Sequence, residues 1–127
     1  MVKKNTLYKC EICGNVVDVV SAAAPEIHCC GQPMNEIISK TIEQEGKEKH
    51  IPIVTIEGNN INVKVGEIAH PMTEEHYIQL IQVVKDGKII KEKRLCSTDS
   101  PEATFILDSV DEIKVRAFCN VHGLWIN

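Results

Sequence analysis

The sequence predicts a mainly β chain in two parts: a small metal-stapled N-terminal domain over residues 1–37, then an antiparallel β-sandwich of immunoglobulin or fibronectin type over residues 38–127. Three observations carry this reading. Four cysteines crowd into a segment, residues 7–36, that is too poor in apolar residues to fold by burial alone. Short apolar runs then follow, separated by turn signals at intervals of about eight to twelve residues. No stretch between them carries a convincing helical period.

Taken in order, residues 7–36 are rich in Cys, Gly and Pro and short of β-branched alternation, and the run Ala22, Ala23, Ala24 is too brief for a stable helix. The texture changes near Ile37 or Ile38, first to IISKTIEQEGKEKH and then to β-like runs. IPIVTIE is followed by the turn residues Gly58, Asn59 and Asn60, and by INVKV, in which Ile61, Val63 and Val65 alternate with polar neighbours. YIQLIQVV and KIIKEKRL flank Asp86-Gly87, a pair suited to a two-residue type I′ hairpin because both positions need positive φ. ATFIL, a turn at Asp108-Ser109 and IKVRAFC complete six or seven strands. In the last of these, Ile113, Val115, Ala117 and Cys119 share one face, and Lys114, Arg116 and Phe118 the other.

The 127 residues suit one ordinary domain, or a small one joined to a medium one. Hydrophobic content of 43% and charged content of 25% exclude disordered and membrane classes, and no run is long enough to span a bilayer. A formal charge of -4 argues against a nucleic-acid partner. The N-terminal MVKKNTLYKCEICG lacks the apolar middle of a secretory signal, so the chain reads as cytoplasmic. Six cysteines in that compartment point to metal ligands or redox groups before disulfides.

Cys10-x-x-Cys13 and the adjacent Cys29-Cys30 place four thiols in one small segment. Cys-x-x-Cys forms a knuckle that presents two thiolates to one ion, with Gly14 available for the positive-φ turn behind it. Adjacent cysteines cannot repeat that knuckle, so the tetrahedron should be distorted, unlike a zinc ribbon. Four sulfurs suit zinc or iron, and a zinc staple without redox role stays open at this point. His28 beside Cys29 is a bystander, because four thiolates already close the site.

The remaining histidines, His50, His70, His76 and His122, fall at loops or strand ends, as does Cys119. His70 and His76 in IAHPMTEEHYI are six apart, which fits no helix face, and Pro71 biases His70 toward an extended conformation. Singly, each reads as a surface or hydrogen-bonded residue. Jointly, four imidazoles and one thiol make a mononuclear metal site the more economical explanation. Five such ligands suit a redox ion with a sixth position open, and the soft thiolate pushes electron density toward whatever binds there. A blue-copper site is excluded: GLWIN supplies no Met after His122, and two histidines would be left over. Met34 and Met72 read as packing residues, and Cys96 as a buried thiol.

CEIC, HCCGQPM, EKHIP, HPMTEEHYI and CNVHGLW, in this order and across nearly the whole chain, resemble the desulfoferrodoxin family of two-iron superoxide reductases. The resemblance implies a desulforedoxin-like N-terminal domain in which Cys10, Cys13, Cys29 and Cys30 hold a rubredoxin-like iron. It implies a catalytic iron on His50, His70, His76, His122 and Cys119, with the imidazoles roughly coplanar and Cys119 axial. It also assigns Glu48 to the sixth position in the oxidised resting state and Lys49 to a positive charge near the open ferrous site. An acidic chain with an anionic substrate needs such a local cation. The activity implied is one-electron reduction of superoxide to hydrogen peroxide, with electrons from an external donor such as rubredoxin, in a homodimer without nucleic-acid or membrane partners. Two rivals remain: a two-iron electron carrier without catalysis, and a zinc-stapled binding module.

Overall fold

The computed structural model describes residues 1–44 and 46–127, which divide into two compact units, Met1–Ile38 and Ser39–Asn127. The first unit is built from very short strands: β1 (Leu7–Lys9), β2 (Val16–Asp18), β3 (His28–Cys29), β4 (Gln32–Pro33) and β5 (Asn35–Glu36). β1 is central in an antiparallel sheet of order β2-β1-β5, while β3 and β4 form a separate hairpin. Its core is Val2, Tyr8, Cys10, Val19 and Met34, with Val17, Ala22, Ile27 and Cys29 half-buried against them. Those five side chains and Leu7, also buried, at about 2 kcal/mol each do not offset the ordering of such a unit, at about 1.5 kcal/mol per residue. A cross-link of some kind is required.

The second unit opens with a single helical turn, α1 (Lys47–His50), and continues with β6 (Pro52–Glu57), β7 (Asn60–Val65), β8 (Ile78–Lys85), β9 (Lys88–Arg94), β10 (Glu102–Ile106), β11 (Ile113–Cys119) and β12 (Gly123–Ile126). These seven strands form two antiparallel sheets, β10-β7-β6 and β12-β11-β8-β9, as the alternating patterns foretell. The core between them holds Ile61, Val63 and Val65 from β7, Ile78, Ile81 and Val83 from β8, and Val115, Ala117 and Cys119 from β11. Thus the β11 face read from the sequence is the face that packs inward. Gln82 is also buried, and its side-chain oxygen accepts a 2.6 Å hydrogen bond from Arg116 Nε.

Asp86 and Gly87 have φ of 51° and 74° and join β8 to β9, as a type I′ turn requires. Other details differ from expectation. The α1 turn arises where no helix was foreseen: Gly46 enters it at φ 87°, and Pro52 forces Ile51 to φ −70°, ψ 125°, stopping it after His50. β12 was not foreseen either; it pairs with β11 from Arg116↔Ile126 to Cys119↔Gly123. Cys96 is exposed, not buried, because its N–H is drawn into a turn by Asp99 Oδ2 at 2.7 Å. Among the described residues no helix is long and apolar enough to cross a membrane.

Candidate metal centres

The first centre forms where β1 ends and where the β3–β4 hairpin turns. The Cys10 carbonyl accepts from Gly14 N–H at 2.9 Å, and Gly14 takes φ 81°, closing the knuckle that Cys-x-x-Cys-Gly implies. Across from it, Cys30 and Gly31 take φ 54° and 78°. Two consecutive left-handed residues, one of them not glycine, let adjacent thiols point the same way. The four sulfurs of Cys10, Cys13, Cys29 and Cys30 lie within 4.8 Å of one another, with Cys13–Cys29 at 3.6 Å and Cys29–Cys30 at 4.0 Å.

Their acidities are pulled apart. The Cys13 N–H donates to Cys10 Sγ at 3.5 Å, and backbone donors of this kind lower the Cys10 thiol to about 6. The Cys29 thiol is held up by hydrogen bonding with Cys13, and the same neighbour pushes Cys30 up to about 12. One thiolate is therefore comfortable here and further ones are not, until a cation arrives to compensate them. The donor set and its spacing fit one tetrahedral Zn or Fe ion. His28 Nε2 donates to the Glu26 carboxylate at 2.8 Å and is exposed.

The second centre is assembled from four places in the sandwich unit. His50 ends α1; His70 and His76 lie in the connection from β7 to β8; Cys119 ends β11; and His122 lies in the turn to β12. The four imidazoles close a ring: His50–His70, His70–His76 and His50–His122 have centroids 4.8 Å apart, and His76–His122 4.9 Å, each pair edge to face. The donor atoms of His50, His76, Cys119 and His122 all lie within 4.8 Å of one another. His70 stands outside that mutually close set but completes the ring.

The test of fit is which nitrogen faces inward. His50 Nδ1 and His70 Nδ1 each lie 2.7 Å from a carbonyl, of Gly46 and Pro71 respectively, so those nitrogens carry the protons. Their Nε2 atoms, and that of His76, are buried with no hydrogen-bond partner. An orphaned buried lone pair costs about 1–3 kcal/mol. Three such atoms on one ring of imidazoles are accounted for by a metal. Burial also pushes the His50, His70 and His76 pKa values down, His70 to about 4, which keeps all three in the neutral form that ligates.

Cys119 is fully buried, and burial raises its thiol pKa. Opposing this, its sulfur accepts the His122 N–H at 3.3 Å, and His122 Nδ1 lies 3.9 Å away. A register shift between Phe118 and Cys119 against β8 re-aims the strand end toward the ring. His122 is exposed and His76 half-buried, so the ring is accessible from their side, and the charge of Lys49 is felt at His76. Glu48 and Lys49 are both exposed on α1.

Several supporting residues were not singled out from the sequence. Asn120 ties the two halves together: its Oδ1 accepts from Tyr77 N–H and its Nδ2 donates to the Glu75 carbonyl, both at 2.9 Å. An Asn in a turn beside a Cys is a signal for such side-chain-to-backbone bonding. Thr73 closes the His76 turn, its hydroxyl accepting from His76 N–H at 3.1 Å. Trp125 stacks on His50 with centroids 4.7 Å apart and planes at 17°.

Comparison with known proteins supplies the context. Residues 42–127 match the model of a family described as desulfoferrodoxin, and residues 2–37 that of the desulfoferrodoxin N-terminal domain. A desulfoferrodoxin homolog of Archaeoglobus fulgidus is 50% identical over 119 residues, 94% of this chain and 93% of its own. The crystal structure of the superoxide reductase from Treponema pallidum superposes with TM-score 0.74 and 30% identity, covering 96% of each chain. The one-iron superoxide reductase from Giardia intestinalis matches with TM-score 0.57 and 28% identity over 64% of this chain and 96% of its own.

Proposed function

The chain belongs to the desulfoferrodoxin family, and from that premise we infer that it is a superoxide reductase that converts superoxide to hydrogen peroxide. The observation that carries the inference is the ring of four imidazoles, three of them with buried, unpartnered Nε2 atoms, beside a buried thiol. The cofactors are two non-heme iron ions, one on four cysteines and one on histidines with a cysteine. We assign Cys10, Cys13, Cys29 and Cys30 to the first, and His50, His70, His76, His122 and Cys119 to the second. The chemistry such an iron would supply is one electron for the reduction of superoxide. The net change is balanced by one electron and two protons per superoxide, and no dioxygen forms.

The chain's own groups make this selective. Neutral His50, His70 and His76 keep their Nε2 lone pairs available at neutral pH, because burial and the carbonyls at Nδ1 fix both charge and tautomer. The His122 N–H stabilises negative charge on the Cys119 sulfur. Lys49, on the exposed turn before His50, draws the anion toward the accessible side of the ring, where its charge already acts on His76. Glu48, exposed on the same turn, would supply a carboxylate to the iron at rest.

Electrons come from an external one-electron donor of rubredoxin type, and the cysteine-bound iron stores or relays them. Residues 1–37 form the desulforedoxin-like domain and residues 38–127 the catalytic one, in a cytoplasmic homodimer. That a one-iron superoxide reductase matches over 96% of its own length while covering 64% of this chain supports a reaction that one part of the chain can carry.

The decisive experiment is a superoxide pulse on the pre-reduced protein, counting peroxide formed and dioxygen released. One peroxide per superoxide, with no dioxygen and the iron oxidised, is the expected result. Half that peroxide together with dioxygen means dismutation, and no reaction leaves an electron carrier; either outcome overturns the assignment.

A further inference from the structure

Lys40 meets the histidine–thiolate centre in ways the reaction above does not use. Its backbone is fixed to β12, donating to the Leu124 carbonyl at 2.8 Å and accepting from Ile126 N–H at 2.9 Å, in a parallel bridge with Trp125. Its ammonium donates to the His122 carbonyl at 3.0 Å and sits 5.4 Å from the centroid of the Trp125 ring. The Trp125 indole N–H donates to the same carbonyl at 3.1 Å, while its ring stacks on His50. The lysine stem passes Gly123, where a Cβ would lie 3.9 Å from Lys40 Cε.

These contacts bracket one ligand and touch two others. On the N-terminal side of the His122 Cα, its N–H is spent on the Cys119 sulfur. On the C-terminal side, its carbonyl is held by Lys40 and Trp125. The turn between Cys119 and His122 is thereby gripped at both ends, and the gripping indole also lies against His50. A lysine free in solvent keeps the rotamer freedom of a long flexible stem, which this geometry restricts.

We propose that Lys40 is a positioning residue of the histidine–thiolate metal site: with Trp125 it clamps the His122 carbonyl and so fixes the turn that carries His122 back from Cys119. Lys49 serves the approach of the anion from solvent; Lys40 serves the ligands themselves. The proposal rests on the reading of that centre as an iron site.

The test uses the full iron-loaded chain with Lys40→Met, Lys40→Ala and Lys40→Arg. Three quantities are read: loss of histidine-site iron to a chelator, the thiolate-to-iron charge-transfer band, and the emission of Trp125, the chain's single tryptophan. Outer partners of metal ligands typically change affinity by about 10–100-fold, so Met and Ala should speed iron loss about tenfold. They should also shift the band and the emission, with Arg restoring all three. Iron on the four cysteines should be untouched, which shows that the first unit is folded, and amide signals of β7, β8 and β11 should persist, which shows that the sandwich is. A Met variant indistinguishable from wild type, or an Arg variant no better than Met, overturns the proposal. Failure of the wild-type chain to hold histidine-site iron overturns the iron reading, and the Lys40 proposal with it.

Discussion

Gly66 is the residue that decides how closely the α1 turn and the connection from β7 to β8 approach each other. It sits at φ 90°, and its N–H donates to the Ile51 carbonyl at 2.9 Å, while Ile68 N–H donates to the Glu48 carbonyl at 2.8 Å. A Cβ at this position would lie 2.4 Å from Ile68 O, 2.6 Å from Lys49 O and 2.7 Å from Lys49 C. All three are backbone atoms, so no side-chain rotation relieves the overlap. For Gly66→Ala, the left-handed backbone costs about 1–2 kcal/mol and forced repacking about 1–3 kcal/mol more. The sum, roughly 3 kcal/mol, corresponds to about 15 °C in Tm for a unit of this size.

The damage should be local in its chemistry. Displacing the Lys49 carbonyl moves the peptide that carries His50, so iron in the histidine centre should be depleted and superoxide reduction slowed. The visible spectrum of the cysteine centre, in the other unit, should remain. Gly58→Ala is the control: φ there is 63°, but a Cβ meets nothing within 4 Å, so only the backbone cost of about 1 kcal/mol applies. Differential scanning calorimetry and iron quantitation on both variants check this. Equal losses in the two, or a Gly66→Ala chain with wild-type melting and iron content, would refute the close-approach argument.

Lys49→Ala should slow capture of superoxide about tenfold at low salt without loss of iron, and the gap should narrow above about 0.1 M ionic strength, where the Debye length is about 10 Å; stopped-flow rates against salt test it, and an unchanged rate removes the lysine from the mechanism. Cys29→Ser should abolish the absorption of the cysteine centre while leaving superoxide reduction with a chemical donor intact, so a dead enzyme would show that the first iron is obligatory. In metal-free protein, His50, His70 and His76 are held below their usual range by burial, so the unfolded chain binds more protons than the native one between about pH 6.5 and about 4. Stability should therefore fall as pH drops through that window, with His70 alone responsible for roughly 3 kcal/mol; urea midpoints that stay flat from pH 7 to 4 would contradict it.

What the sequence disclosed, it disclosed where the chemistry is local. Asp86-Gly87 names its turn because two adjacent residues need positive φ, and Ile113, Val115, Ala117 and Cys119 name their face because the period of a strand is two. The α1 turn was invisible because four residues carry no period, and its stop depends on Pro52 acting on Ile51. β12 escaped because it begins directly after the His122 turn and is only four residues long. No spacing rule joins His50 to His122; the ring is read from ligand-type residues that all fall at loops or strand ends, and the family resemblance adds to it, but Lys40, Trp125 and Asn120 stay hidden, because their roles consist of bonds to distant backbone. Cys96 was misjudged for the opposite reason, since average burial of a thiol gave way to one local bond with Asp99.

The two centres differ in what exists before a metal arrives. In the sandwich unit, Cys119 belongs to a core that includes Ile61, Val63, Ile78, Ile81 and Val115, all fully buried, and the strands bearing that core fix where the histidine loops begin and end. Such a core tolerates three orphaned nitrogens at about 1–3 kcal/mol each, so the ring is held open for iron at the expense of stability. In the first unit the few buried residues do not sustain the strands, and the sulfurs that would be cross-linked are also its structural centre: Cys10 is part of the core and Cys29 packs on it. Metal binding there is therefore folding, whereas in the sandwich it fills a site already formed. Stripping both metals should melt amide signals of residues 1–38 while those of β7, β8 and β11 persist. Loss of both sets together would mean that the histidine ring, too, depends on its ion to form.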